Sequence, residues 1–148
     1  MSDADLSVEA MDDGPRALAE ALSAEHAAVY GYEFLGGAGG DDEYRSRALE
    51  AALTHKELRD ELYALAAAHD AEPSPALASY PLPKERDEAS LDAFALGLEE
   101  STVRAYLWLT AARDIGMRTT GARNLQDATL RVLERGGELT ALPGFDGG

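Results

Sequence analysis

One proline-rich segment divides the chain into two halves, and this division constrains the fold more than any other feature. Residues 71–89, AEPSPALASYPLPKERDEA, contain four of the six prolines in the sequence. Proline lacks a backbone donor and clashes with the preceding helical turn, so this segment is not the interior of a helix. On both sides of it, apolar residues recur with the period of a helix, and no stretch alternates as a strand does. The sequence therefore predicts an all-α protein.

Each half contains two amphipathic segments, which we predict to be helices. The apolar stripe of the first is formed by Leu18, Leu22, Val29 and Tyr32. Proline at position 15 suits a first helical turn, and Ser90 is a favourable N-cap. The predicted helices run from Gly14 to Gly36-Gly37, from just after Asp42 to about His69, from Ser90 to a break near Gly116, and from about Met117 to Arg135.

The connections between these segments predict their arrangement. Only a few residues separate the first helix from the second and the third from the fourth, so each pair forms an antiparallel hairpin. Residues 71–89 could span roughly 60 Å when extended, and a helix of about 27 residues is about 40 Å long. We expect a crossover docked along the bundle through Leu77, Tyr80 and Leu82, with a disordered spacer as the alternative. Two hairpins joined by one long crossover form a ferritin-like four-helix bundle.

Length and charge limit the classes of function. A chain of 148 residues suits a single domain, here with residues 1–13 as a flexible acidic N-terminus and residues 71–89 as the crossover. The 28 acidic and 13 basic residues give a net charge of −15, which repels nucleic acid and anionic membranes. The first residues do not resemble a signal peptide, and no apolar run is long enough to span a bilayer, so we expect a cytoplasmic protein.

Ionisable residues interrupt the apolar stripes at one level of the predicted bundle. Glu25, His55 and Glu99 lie on the inward stripes of the first three helices. Counting along the fourth helix places Arg131 and Glu134 near the same level, with Asp127 one turn away. Charged groups from four helices are therefore expected to meet at the midplane of the bundle.

The segments that carry these residues resemble a known family. They are AEHAAVYGYEFLG, HKELRDEL, LEESTVRAYLWL and a closing LPGF, with Glu25-His26, Tyr30, Tyr32, His55, Arg59-Asp60, Glu99 and Tyr106 as the characteristic residues. Together they are similar to the bacterial ferritin-like domain-of-unknown-function 4439 family. The resemblance implies a ferritin-like fold over nearly the whole chain and no assigned reaction. The fourth helix matches least, because Glu134-Arg135-Gly136 stands where an aromatic residue is expected.

A di-metal carboxylate centre is one interpretation of the midplane residues. Such centres in ferritin-like proteins combine two glutamates with two Glu-x-x-His motifs. Here Ser23, Ala52 and Ala66 stand three residues before the three histidines, so the motif is missing. Glu25, His55 and Glu99 could still hold iron or another divalent metal, with Asp127 as a distant fourth ligand.

A buried ion network without a metal is the interpretation that we favour. In it, Arg59 and Arg131 neutralise Glu25 and Glu99, and His55 and Tyr106 complete the hydrogen bonds. We predict no catalytic residue and no cofactor.

Three functions follow from these interpretations. The favoured one is a non-enzymatic bundle that forms a homodimer through helix faces, with Val103 and Leu107 as candidate interface residues. The second is a metal-binding or redox protein that uses Glu25, His55 and Glu99. The third is a small-molecule binder with a cavity between the helices near Tyr32 and Tyr106.

Overall fold

The computed structural model describes residues 13–137, and this part of the chain is all-α. Its helices are α1 (Gly14–Ala38), α2 (Asp42–Ala68), α3 (Glu88–Leu109) and α4 (Ile115–Glu134). The prediction of four helices is confirmed. Residues 1–12 of the predicted N-terminal segment and the closing LPGF lie outside the described residues.

An aspartate stands at the N-cap of each of the four helices, and in three of them its side chain caps the helix. The side chains of Asp41, Asp87 and Asp114 accept hydrogen bonds from backbone N–H groups three residues further on, at 2.7, 3.2 and 2.9 Å. Such caps each contribute about 1 kcal/mol to helix stability. The prediction of Ser90 as the N-cap of α3 was wrong, because its N–H and hydroxyl both donate to the Asp87 side chain, which leaves Ser90 inside the first turn.

Side-chain contacts give the direction of each helix. His26 of α1 contacts Tyr63 of α2, and further along α1 Gly36 lies against Leu49, so α1 and α2 run antiparallel across a short loop. Glu99 pairs with Arg131, while Gly121 lies against Leu109, so α3 and α4 are also antiparallel. Because α3 runs antiparallel to α1 as well, with contacts from residue 25 to 106 and from 32 to 99, α2 and α3 run parallel.

The segment between α2 and α3 contacts α1 through polar and aromatic groups. The backbone carbonyl of Ser74 accepts a hydrogen bond from His26 Nε2 at 2.9 Å, and the Ser74 hydroxyl donates to the carbonyl of Ala19 at 3.0 Å. The rings of Tyr30 and Tyr80 lie 5.4 Å apart. The prediction that Leu77 and Leu82 pack on the bundle was wrong, since they are 62% and 38% exposed. A segment without helical hydrogen bonds needs other partners for its backbone groups, and the N–H of Leu77 donates to the Tyr80 hydroxyl at 2.9 Å.

The apolar core consists of two clusters that are separated by a polar layer. One cluster contains the beginning of α1 and the end of α2, and the other contains the end of α1 and the beginning of α2. The boundary falls at Glu25 on α1, at His55 on α2 and at Glu99 on α3. Val103, predicted at an interface, is fully buried in the first cluster, which corrects that prediction. Within residues 13–137, no helix is long and apolar enough to cross a membrane.

Candidate functional site

The polar layer is built on a spacing that occurs twice in the sequence. Glu25 and Tyr32 on α1 are seven residues apart, and so are Glu99 and Tyr106 on α3. Seven residues are close to two helical turns, so each pair lies on one face of its helix. All four side chains are buried.

Each tyrosine hydrogen-bonds to the glutamate of the other helix. Tyr32 Oη donates to Glu99 Oε2 at 2.5 Å, and Tyr106 Oη donates to Glu25 Oε2 at 2.6 Å. The reciprocal pairing follows from the antiparallel packing of α1 and α3. Burial, together with the negative charge of the glutamate partner, raises the pKa of both tyrosines well above the usual value. Both tyrosines therefore act as neutral donors.

His55 of α2 bridges the two glutamates. Its Nδ1 lies 2.5 Å from Glu25 Oε1, and its Nε2 lies 3.2 Å from the carboxylate of Glu99. Because both neighbours are acceptors, both ring nitrogens donate, which requires the imidazolium form. Burial by itself lowers the pKa of His55, but the hydrogen bonds and charges of the two carboxylates outweigh it and raise that pKa to about 9. The imidazolium also stacks on Tyr32, with ring centroids 5.4 Å apart.

Arg131 of α4 completes the balance of charge. Its Nε donates to Glu99 Oε1 at 2.9 Å. Burial by itself raises the pKa of Glu99, but His55 and Arg131 outweigh it and lower that pKa to about 2. The pKa of Arg131 is itself raised, because the charge of Glu99 outweighs the effect of burial. Two carboxylates thus face two cations. The Nη2 atom of Arg131 is buried without a hydrogen-bond partner among the described residues.

The two hairpins contribute to the layer in the same way. The first helix of each hairpin supplies an acid and the second supplies a base: Glu25 with His55, and Glu99 with Arg131. The layer therefore connects all four helices through side chains alone.

Comparison with known proteins assigns the chain to a family. The sequence model described as "Domain of unknown function (DUF4439)" matches residues 17–147. The chain belongs to the DUF4439 family. A crystal structure of a conserved hypothetical protein from Mycobacterium tuberculosis is similar, with a TM-score of 0.72 and 23% sequence identity over 82% of this chain and 86% of that one. This likeness concerns the fold. No curated protein matches the chain.

Other predicted site residues of the DUF4439 chain lie outside the layer. Arg59 follows His55 by one turn, and its partly exposed guanidinium contacts Asp60 at 3.0 Å, so it does not neutralise a buried glutamate. Asp127 and Glu134 are exposed. Asp127 precedes the buried Ala128 and therefore points about 100° away from the core. These placements correct the expectation that Arg59, Asp127 and Glu134 join the layer.

The donor set of the DUF4439 layer is fully engaged by protein groups. Each of the four carboxylate oxygens of Glu25 and Glu99 accepts a hydrogen bond from a protein donor. Both nitrogens of His55 face carboxylates. A metal would need a deprotonated imidazole nitrogen and free carboxylate oxygens. Within residues 13–137, no group of three or more acids and histidines is placed to hold a metal ion.

A cleft reaches the layer from one end of the bundle. It has a volume of about 400 Å³ and is lined partly by Tyr32, but Tyr106 does not line it. The cavity that the sequence predicted near both tyrosines therefore adjoins only one of them.

Two features of the DUF4439 site were not predicted from the sequence. The role of Tyr32 as a donor to Glu99 was signalled by the repeated seven-residue spacing of glutamate and tyrosine. The contact of His26 with the carbonyl of Ser74 and with Tyr63 Oη, at 2.9 and 3.1 Å, had no comparable signal, because Ser74 lies in a segment without a period.

Proposed function

We propose that this DUF4439 protein is a non-enzymatic, ferritin-like bundle in which a charge-balanced protein network stands in place of a di-metal centre. The observation that carries the proposal is the bridging position of His55 between Glu25 and Glu99. An imidazolium in that position supplies the positive charge that a cation would supply to the two carboxylates. The parallel course of α2 and α3 supports the ferritin-like part of the proposal.

The network has a structural task in this proposal. Each of its side chains comes from one helix and bonds to a side chain of another, so the layer fixes the register of the helices. Removing one partner would leave a charge buried without compensation, at a cost of about 3–5 kcal/mol. The apolar clusters on either side stabilise the bundle by burying apolar surface. Because the hydrophobic effect is non-directional, these clusters constrain the register of the helices less strictly.

The competing function is a metal-binding or redox protein that uses Glu25, His55 and Glu99 with iron or another divalent cation. Elemental analysis after incubation with Fe²⁺, Mn²⁺ or Zn²⁺ and gel filtration separates the two. We expect far less than one ion per chain and a melting temperature that chelators do not change. One ion per chain that is lost in His55→Ala, with Arg59→Gln as the control, would establish the metal site instead.

A homodimer through helix faces is part of the proposal. Leu130 and Leu133 of α4 are 54% and 43% exposed, and Leu107 of α3 is half-buried. Multi-angle light scattering measures the mass directly. A mass of one chain would reject the dimer, and a dimer that Leu130→Asp dissociates would assign the interface to α4. A cytoplasmic location stays a prediction.

A further inference from the structure

The cleft at one end of the bundle is lined by all four helices. The ends of α1 and α4 and the beginnings of α2 and α3 meet there. Its buried floor consists of Tyr32, Leu35 and Ala48. A volume of about 400 Å³ is within the range of small-ligand sites in proteins.

The half-buried part of the lining carries hydrogen-bond donors without acceptors. The hydroxyl of Tyr44 is buried and has no partner among residues 13–137. The guanidinium of Arg135 lies over the ring of Tyr32, 5.1 Å from its centroid, and forms no salt bridge in the described part of the chain. A phenol and a planar cation that line the same cleft suit a carboxylate, which can accept from both.

The exposed part of the lining carries acids. Glu88 and Asp92 of α3 and Glu134 of α4 are exposed around the cleft, and Arg47 is the one exposed cation among its lining residues within 13–137. These acids favour a cationic group near the opening and disfavour a ligand with several negative charges. The cleft thus combines donors inside, an apolar and aromatic floor, and acids outside.

We propose that this cleft binds a small zwitterion of the amino-acid type, with an apolar side chain. Its carboxylate accepts hydrogen bonds from Arg135 and Tyr44, its side chain packs on Leu35 and Ala48, and its amine lies near the exposed acids. The proposal goes beyond the metal-free network and does not depend on it, because none of these groups belongs to the network except Tyr32, whose ring forms the floor.

Calorimetric titration of the full chain with L-phenylalanine and L-leucine tests this proposal. We expect saturable binding of one molecule per chain, and binding of phenylacetate and phenethylamine weakened about tenfold, since each lacks one charged group. Arg135→Gln should weaken the binding of L-phenylalanine about tenfold, and Tyr44→Phe, which keeps the ring, should weaken it a few-fold, by about the value of one hydrogen bond. Arg104→Gln, on the exposed surface of α3, is the matched control and should bind as the unaltered chain does.

Amide chemical-shift perturbation locates the bound molecule independently. The largest changes are expected at residues 35, 44 and 135. Absence of saturable binding of both amino acids would overturn the proposal. So would affinity that is unchanged in Arg135→Gln, equal affinity for phenylacetate, or shifts centred at the other end of the bundle.

Discussion

The glutamates and the histidine of the polar layer are as fully buried as the two apolar clusters beside it, but the two regions tolerate substitution differently. In the clusters, side chains such as Leu22 and Leu62 contact many neighbours, and neighbouring atoms can shift to fill part of a space. In the layer, Glu25 has two donors, one from His55 and one from Tyr106, and nothing else can replace them. Burial alone therefore does not measure how far a residue determines this fold. The number of possible partners does.

The largest effect is expected from removal of a carboxylate in the layer. Glu25→Ala leaves the His55 imidazolium with one acid fewer and Tyr106 without an acceptor, and it should lower the free energy of unfolding by about 3–5 kcal/mol. The control is Glu50→Ala on the exposed face of α2, which should change it by no more than about 0.5 kcal/mol. Urea unfolding measures both. Equal effects would show that Glu25 is not a buried, paired charge.

Raising the pH should weaken the layer and leave the clusters unchanged. The pKa of His55 is raised from 6.5 to about 9, so its contribution is fully present below 6.5 and is lost as the pH rises through about 9. The loss in free energy of unfolding is about 3 kcal/mol, at about 1.4 kcal/mol per pKa unit. The lowered pKa of Glu99 acts in the opposite range, and its contribution is lost as the pH falls towards about 2.

Unfolding curves measured across both ranges check this dependence. His55→Gln should abolish most of the decrease in the free energy of unfolding at alkaline pH. His69→Gln, at the exposed end of α2, should keep this decrease. A slope that survives in His55→Gln would assign the titration to another group.

Substitution of the two tyrosines of the layer should lower the stability by different amounts, although the two residues occupy equivalent positions on α1 and α3. Tyr106→Phe leaves Glu25 with one donor, whereas Tyr32→Phe leaves Glu99 with donors from both His55 and Arg131. Each substitution should cost about 1–3 kcal/mol, with the larger cost for Tyr106→Phe. Thermal unfolding of the two single variants and of the double variant measures the difference. A larger cost for Tyr32→Phe would contradict the assigned donors.

The smallest effect is expected at Arg59, which the sequence placed in the network. Arg59→Gln should change the free energy of unfolding by no more than about 0.5 kcal/mol, because its guanidinium contacts Asp60 at a partly exposed surface. Arg131→Gln is the matched substitution within the layer and should cost several times more, since Glu99 then loses a cation. Similar losses in the free energy of unfolding for the two variants would show that Arg59 takes part in the network.

The fold was more predictable than the site because the two depend on different information. Helix length and loop length follow from the spacing of apolar residues and from the glycines and prolines near helix ends. These signals are local, and they were enough to predict the four helices. The level of Glu25, His55 and Glu99 followed from the same count. The choice of Arg131 over Arg59 did not follow from it. Counting residues places a side chain along its helix only to within about a turn, and an arginine side chain is longer than this error. Ser90 was misassigned as a cap because serine and aspartate are both favourable caps, and Asp87 lies only one turn away.

The protonation state of His55 decides whether a protein cation balances the two buried glutamates. Nitrogen-15 NMR of the histidine side chains, recorded at a pH between 6.5 and about 9, distinguishes imidazolium from neutral imidazole. We expect two protonated ring nitrogens on His55, with chemical shifts that added divalent metal leaves unchanged. A single protonated nitrogen in that range, or a shift of the resonance on addition of one equivalent of metal, would contradict it.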